Sequence, residues 1–396
     1  MEMTAGQPLE PRQRLTIFSN FATMFMVGVA ISLLGPSLPG LAERTGLPLP
    51  RAGIFFTLFS GGSVLATLVV ARLMDRPVRH AFLIGGAFVM GGAQWLVASS
   101  GTFAPAATAM ALTGLAMSTT GTAPNAIIAD LYRERAGQAL NALHLCLSVG
   151  AFAGPLLVGV AIRFGSDYTV AYRVAGSLMF LVGLLWAFSR PPMPRRSEGV
   201  QPRTPLSAPL ILPMLVLLCV AMLYTGAEQA FGGWIFTYAR DAVVMDAPKA
   251  SLATSSFWLA IMLGRLIAIR VLPRLGDVGL LIAGALVGAL GIGGVLVSSR
   301  VPPLLWGGVG LVGLGFGPIF PTVLAVGTQR FPAYAGMISS LTVASGSVGA
   351  MVLPWASGAL IPRLGLVGSM AGSFVPLALM LGCLWVIGRL DQRSPA

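Results

Sequence analysis

Long apolar runs alternate with short polar breaks along almost the whole chain. A run of about 20 mostly apolar residues is long enough to cross the hydrocarbon core of a bilayer as an α-helix. Breaks at glycine, proline and charged residues divide the chain into twelve such spans, at about 15–40, 51–74, 81–99, 104–130, 138–163, 170–189, 209–237, 250–273, 279–298, 303–328, 335–360 and 366–388. The pattern predicts an all-α membrane protein with twelve transmembrane helices.

The second half of the chain repeats landmarks of the first half. The tetrapeptide Ser-Val-Gly-Ala begins at Ser148 and again at Ser347, an offset of 199 residues. The same offset relates Pro155 to Pro354, Gly159 to Gly358, Trp186 to Trp385, and Arg190 to Arg389. Because each half has an even number of spans, both copies enter the membrane in the same direction, which predicts a parallel repeat of two six-helix bundles. The predicted domains are an N-terminal bundle at 1–189, a proline- and arginine-rich cytoplasmic linker at 190–208, and a C-terminal bundle at 209–396.

Composition and charge fit a multi-pass membrane protein. Hydrophobic residues make up 56% of the chain and charged residues 10%, whereas soluble domains carry about 25% charged residues. The net charge of +12 would suggest a nucleic-acid partner in a soluble chain, but here the arginines cluster between spans and reflect membrane topology. We therefore expect a lipid bilayer and no nucleic acid as partner. The excess of arginine and lysine on one side predicts that both termini lie in the cytoplasm. We further expect a monomer in a bacterial inner membrane.

Chemical conversion of a substrate is not expected from this sequence. It contains no nucleotide-binding glycine loop, no cluster with metal-ligand spacing and no catalytic triad motif. We therefore expect a protein that is not an enzyme and that has no cofactor and no metal site.

Three tryptophans near predicted span ends are expected to anchor helices at the membrane interface. They are Trp186, Trp306 and Trp385. Tryptophan is enriched at this depth because its ring is apolar and its N–H is polar. We therefore leave these three residues out of the candidate site.

A short charged run follows the second span. It extends from Ala71 to His80 and resembles the loop signature of the major facilitator superfamily, Gly-x-Leu-x-Asp-Arg-x-Gly-Arg-Arg. The matching positions are Leu73, Asp75, Arg76 and Arg79, and the departures are Ala71, Val78 and His80. The resemblance implies the major facilitator fold and a gating role for Asp75, Arg76 and Arg79, which would help to hold the inner side shut. An ordinary positively charged cytoplasmic loop is the alternative.

Three ionisable residues lie well inside predicted spans. They are Glu228 in span seven, Arg265 in span eight and His144 in span five. Because an ionised group at the bilayer centre costs about 2.5–3.5 kcal/mol, each needs a reason to be there. At about 1.5 Å per residue, Glu228 and Arg265 reach similar depths. They form either a fixed salt bridge between two helices or a site at which Glu228 takes up and releases a proton or cation. Glu228 and His144 are the candidate ion-coupling residues.

Polar and aromatic side chains on neighbouring spans form the candidate substrate site. Asn141, His144 and Ser148 follow one another at spacings of three and four, so they share one face of span five, and Asn125 lies in span four. For His144 the alternative is a buried histidine satisfied by a neighbour. Trp234 follows paired glycines, where a ligand can approach the backbone, and its flat ring suits the C–H face of a sugar. Bulk packing is the alternative for Trp234.

A closer resemblance is concentrated in spans five, seven and eight. The segments that carry it are Ala139–His144, Gly150, Gly154-Pro155, Glu228–Trp234, Phe257-Trp258 and Gly264–Leu266. They resemble the fucose permease branch of the superfamily and its relatives, the sodium-dependent glucose transporters. The resemblance implies cation-coupled sugar transport, and the segments that carry it add Glu228, Trp258 and Arg265 to the substrate-binding candidates. Fucose permeases carry acidic residues in spans one and four, where this chain has Asn20 and Asn125, so coupling would fall to Glu228 or His144.

These observations predict a secondary active transporter that works by alternating access. The expected cargo is a sugar or similar small polar solute, coupled to a proton or sodium ion. A proton-coupled drug antiporter of the same fold is the alternative, because Gly150-x-x-x-Gly154-Pro155-x-x-x-Gly159 resembles the span-five signature of such antiporters. Packing alone can also require a glycine-rich span. A non-transporting sensor or scaffold is a third possibility.

Overall fold

The computed structural model describes residues 11–70, 79–132, 136–189 and 208–393. Within these residues every regular element is helical. The α-helices are α1 Pro11–Thr45, α2 Ile54–Val70, α3 Arg79–Ser99, α4 Phe103–Tyr132, α5 Ala136–Arg163, α6 Tyr168–Phe188, α7 Ala208–Asp241, α8 Ala247–Val297, α9 Leu304–Phe316, α10 Ile319–Arg330, α11 Ala335–Ala371 and α12 Phe374–Arg393. Short 3₁₀ helices cover Leu49–Arg51 and Pro332–Tyr334.

The helices account for the predicted spans. In the described part of the chain, nine helical segments are long and apolar enough to cross a membrane. One of them is α8, whose 51 residues contain the predicted spans eight and nine. Two predicted spans lie outside the nine: α4, which carries many threonines, and α12, whose apolar stretch is shorter. The predicted all-α membrane fold is confirmed, and the structure adds that span ten is divided into α9 and α10.

Two long helices change direction at a glycine with a left-handed backbone. Gly276 in α8 has φ 66° and ψ 174°, and Gly365 in α11 has φ 68° and ψ 178°. Each glycine follows the tripeptide Pro-Arg-Leu. Glycine enters this backbone region at little cost because it lacks a Cβ atom. The same four residues therefore produce the same break twice.

The described residues form two compact units. One contains residues 11–47 and 58–189, and the other contains residues 48–57 and 208–393. Nearly all of the predicted linker, residues 190–207, lies outside the described residues. The division into 1–189, 190–208 and 209–396 therefore stays a prediction.

Within each unit, a glycine of the repeated tetrapeptide brings two helices into backbone contact. A Cβ atom on Gly150 of α5 would lie 2.8 Å from the main-chain carbon of Phe25 in α1. A Cβ atom on Gly349 of α11 would lie 2.8 Å from the main-chain carbon of Met222 in α7. Such close approach is the usual reason for small residues between membrane helices. The internal repeat read from the sequence thus corresponds to equivalent packing inside the two units.

The anchor interpretation is wrong for Trp186. Its side chain is 0% exposed, and its indole Nε1 donates to Thr23 Oγ1 of α1 at 2.8 Å. His80 Nε2, at the start of α3, donates to the main-chain oxygen of Trp186 at 2.7 Å. Trp186 is therefore a packing residue, because α1 supplies the partner that its N–H would otherwise find in interfacial water. Trp385, its counterpart in the repeat, is 63% exposed, as an anchor would be.

Candidate functional site

Glu228 is a buried carboxylate surrounded by hydrogen-bond donors. It lies on α7 in the second unit and is 8% exposed. Tyr224, one turn earlier on the same helix, donates its hydroxyl to Glu228 Oε2, and Gln229 Nε2 donates to Oε1 at 3.3 Å. Arg265 on α8 interacts electrostatically with Glu228. The structure therefore brings Glu228 and Arg265 together, as their depths in the predicted spans indicated.

The break between α9 and α10 lies against the same side chains. Pro321 has no N–H group, so the oxygen of Gly317 lacks the donor that a continuous helix would supply. Arg265 Nε donates to that oxygen at 3.3 Å. Tyr224 Oη also lies 2.8 Å from the main-chain oxygen of Phe316, and the two rings pack edge to face. Two of the side chains that interact with Glu228, Tyr224 and Arg265, therefore also contact the broken helix.

Trp234 and Trp258 are both buried in the second unit, with different hydrogen bonding. Trp234 Nε1 donates to the main-chain oxygen of Pro354 in α11 at 2.9 Å. Trp258 is 7% exposed and packs edge to face on Phe257, with ring centroids 5.2 Å apart. Its Nε1 has no hydrogen-bond partner among the described residues. A buried donor without a partner is costly, so this N–H is an unsatisfied polar group inside the second unit.

A small pocket lies beside Trp234, between α7 and the end of α11. Its lining residues are Ala230, Trp234, Tyr238, Ser357, Leu366, Ser369, Met370 and Ser373. Leu366 directly follows the Gly365 break, and Ser369 Oγ donates to the oxygen of Ser357 at 2.5 Å. Sequence reasoning did not select the serines, because serine is common throughout the chain and carries no distinctive spacing here.

The first unit contains the other predicted substrate-binding residues. Asn125 of α4 is partly buried, and its Nδ2 donates to the oxygen of Gly121 at 2.8 Å. Asn141 and His144 are exposed on α5, whereas Ser148 is buried and its Oγ donates to the oxygen of His144 at 3.1 Å. Exposed polar groups on an otherwise apolar helix are consistent with a wet surface. Their roles in substrate binding, like those of Trp234, Trp258 and Arg265, stay predictions.

Most of the predicted gate lies outside the residues that the structure describes. Asp75 and Arg76 lie outside the described residues. Arg79 is the first residue of α3, and its side chain is likewise outside the described part. The gating role of these three residues stays a prediction.

Comparison with known proteins assigns the family. Residues 21–354 match the family model of the Major Facilitator Superfamily. The chain belongs to this superfamily. It is similar to sodium-dependent glucose transporter 1 of Danio rerio, with 25% identity over 387 residues that cover 86% of this chain and 63% of that protein. It is also similar to the TsgA homologue of Erwinia tasmaniensis, with 22% identity over 358 residues that cover 89% of each protein.

Solved facilitator structures show the same fold. An inward-facing, unoccupied bacterial homologue of the human lysosomal transporter Spinster aligns with a TM-score of 0.78 and 14% identity, over 98% of this chain and all of the other. At this identity the match is evidence for the fold alone. Together with the family match, it confirms the major facilitator fold, and the sequence matches confirm the resemblance to the sodium-dependent glucose transporters.

Proposed function

We propose that this facilitator is a secondary active transporter for a sugar or similar small polar solute and that it does not convert its cargo chemically. The support is its superfamily membership and its similarity to proteins named as glucose transporters. We also propose that it resides in a bacterial inner membrane, as a monomer with both termini in the cytoplasm. In this proposal the transporter works by alternating access, so that the cargo is exposed to each side of the membrane in turn.

Trp258 and Trp234 are the proposed cargo contacts in the second unit. A buried indole N–H without a partner, as at Trp258, is suited to a hydroxyl oxygen of a sugar. A flat aromatic ring, as at Trp234, is suited to the C–H face of a pyranose. Asn125, Asn141 and His144 are the proposed polar contacts in the first unit. Arg265 is a further proposed contact, for the cargo as well as for Glu228, because a guanidinium has other N–H donors besides the Nε that bonds Gly317.

The buried Glu228 is the single observation that carries the proposal of ion coupling. Membrane proteins rarely bury a carboxylate inside a span without a functional reason. Its neighbours favour a proton over sodium as the coupling ion. Tyr224 and Gln229 present donors to the carboxylate, and Arg265 adds positive charge. A metal cation needs several oxygen ligands and is repelled by a nearby guanidinium, whereas a proton needs only the carboxylate. His144 is the next candidate.

The antiporter alternative receives no specific support from the structure. Its signature rests on the glycines of α5. A Cβ atom on Gly150 would collide with the backbone of Phe25, and one on Gly154 would lie 2.9 Å from the oxygen of Val29. Close packing of α5 on α1 is a sufficient reason for both glycines.

Glu228→Gln in proteoliposomes tests the proposed function. The neutral amide mimics a permanently protonated carboxyl, so we expect loss of uphill sugar accumulation with equilibrative exchange of preloaded sugar retained. A pH gradient should drive accumulation by the wild type, and a sodium gradient alone should not. Glu43→Gln, which neutralises an exposed carboxylate on α1, is the matched control and should behave as the wild type.

Three results would contradict parts of this proposal. Loss of both exchange and accumulation in Glu228→Gln would make Glu228 a structural or cargo-binding residue. Unchanged accumulation would move the coupling role to His144. Accumulation driven by sodium alone would replace the proton as the coupling ion.

A further inference from the structure

Tyr224 has one hydroxyl proton and two acceptors within reach. Its Oη contacts Glu228 Oε2 and also lies 2.8 Å from the main-chain oxygen of Phe316. A phenol donates one hydrogen bond and accepts others. The hydroxyl therefore donates to Glu228 or to Phe316 at any moment, and not fully to both.

The protonation state of Glu228 decides between the two acceptors. An ionised carboxylate only accepts hydrogen bonds, and a charged acceptor makes a stronger bond than a neutral carbonyl, so the Tyr224 proton is directed to Glu228. A protonated Glu228 can instead donate its own O–H to Tyr224 Oη. The Tyr224 proton is then directed to the oxygen of Phe316, the last residue of α9.

We propose that Tyr224 is a positioning residue that transmits the protonation state of Glu228 to the break between α9 and α10. This inference rests on the proposed coupling role of Glu228 and names the residue through which coupling would reach the helices. Protonation of Glu228 strengthens the hydrogen bond from Tyr224 on α7 to the main-chain oxygen of Phe316 at the end of α9, and deprotonation weakens it.

The other groups around Glu228 do not supply the same link. Among the described residues, the charged or titratable groups that interact with Glu228 are Tyr224 on α7 and Arg265 on α8. The bond from Arg265 to Gly317 does not involve the Glu228 carboxyl directly. Gln229 does not titrate. The Tyr224 hydrogen bond is therefore the contact at the break that changes when Glu228 gains or loses a proton.

The junction between α9 and α10 can respond structurally to a change in this hydrogen bond. α9 ends at Phe316 and α10 begins at Ile319, so two short helices with separate ends take the place of one rod. Discontinuous helices of this kind recur at the substrate and ion sites of secondary transporters. A change of one hydrogen bond at such a junction can alter the angle between the two helices without disrupting either.

Hydrogen exchange across the break tests the inference without relying on transport. Amide exchange of residues 313–322 is measured by mass spectrometry in purified protein over a range of pH, after correction for the intrinsic effect of pH. We expect the wild type to exchange about tenfold more slowly at acidic than at alkaline pH, the change expected from one hydrogen bond. Tyr224→Phe and Glu228→Gln should each abolish this difference.

Tyr238→Phe is the matched control. Tyr238 is a second buried tyrosine on α7, and its hydroxyl donates to the main-chain oxygen of Val295 at 2.8 Å. The variant removes a tyrosine-to-carbonyl hydrogen bond on the same helix, and it should keep the full pH difference at residues 313–322. A pH difference that persists in Tyr224→Phe or in Glu228→Gln would overturn the inference, as would its absence from the wild type.

The two experiments separate failure of the inference from failure of the proposed function. If Glu228→Gln uncouples transport but Tyr224→Phe keeps the pH difference, Glu228 is the coupling residue and Tyr224 does not transmit its state. If both variants abolish the pH difference but Glu228→Gln still accumulates sugar, Tyr224 transmits the protonation of Glu228 and the coupling residue lies elsewhere.

Discussion

Arg265 donates a hydrogen bond from Nε to the main-chain oxygen of Gly317, 3.3 Å away. The same guanidinium interacts electrostatically with Glu228. Arg265 therefore has two tasks that substitutions can separate, one that depends on its charge and one that depends on its planar geometry.

Arg265→Lys and Arg265→Gln should destabilise the protein to different extents. Lysine keeps the charge but loses the directed Nε bond, for which we expect a loss of about 1 kcal/mol. Glutamine also removes the charge beside Glu228, for which we expect about 2 kcal/mol. Thermal unfolding in detergent measures both. The double variant Glu228→Gln with Arg265→Gln should lose less stability than the sum of the two single variants, and strict additivity would show that the charges do not interact.

Gly276→Ala and Gly365→Ala should each destabilise the fold. Both glycines combine a positive φ with a ψ near 180°, a backbone region that is almost exclusive to glycine and costs other residues about 1–3 kcal/mol. Gly293→Ala, in the same helix as Gly276, is the control, because a Cβ atom there would meet nothing within 4 Å and the backbone is not left-handed. We expect this variant to unfold at or slightly above the wild-type temperature. Equal stability of all three variants would contradict the prediction.

Asn141→Cys and His144→Cys should react with water-soluble thiol reagents. Both positions are exposed on α5, and if they line the transport pathway, added sugar should slow the reaction. The background must lack Cys146, Cys219 and Cys383, which are free thiols. Leu143→Cys is the control, because Leu143 is 0% exposed and its thiol should stay unreactive. Unreactive cysteines at 141 and 144 would assign both positions to lipid contact or packing.

Asp75→Asn should slow transport and leave the affinity for cargo nearly unchanged. Asp75 follows the second span at the cytoplasmic side in the predicted topology, so we propose that it acts on closure of the gate and not on the cargo. Transport rate in proteoliposomes and ligand affinity by titration are the two measurements. Asp241→Asn is the control, because this exposed carboxylate pairs only with the neighbouring Arg240 in the contacts described and such pairs contribute little. A matching loss of affinity in Asp75→Asn would place the residue in the cargo site.

Hydropathy and spacing are sufficient to predict the helices and the proximity of Glu228 to Arg265. The repeated tetrapeptide led to Gly150 and Gly349, which occupy equivalent packing positions in the two units. Counting residues along spans seven and eight placed Glu228 and Arg265 at similar depths, and the structure brings them together. These features depend on local periodicity, which a single sequence contains.

The features that sequence reasoning missed depend on which helices become neighbours. Tyr224 lies four residues before Glu228, a spacing that places both on one face, but a tyrosine in an apolar span is common and only its contact with Phe316 reveals its position. The break before Ile319 follows from prolines visible in the sequence, yet hydropathy is continuous across it. Trp186 was misjudged because α1, distant in sequence, supplies its partner Thr23.

The glycine contacts also limit how the protein can move. The backbone of α5 touches that of α1 at Gly150, and the backbone of α11 touches that of α7 at Gly349. Because the backbones are already in contact, the two helices of each pair cannot slide past each other without a steric clash. Each pair should therefore travel as a rigid body during a transport cycle. Bending is then left to the places where helix continuity is already lost, at Gly276, at Gly365 and between α9 and α10.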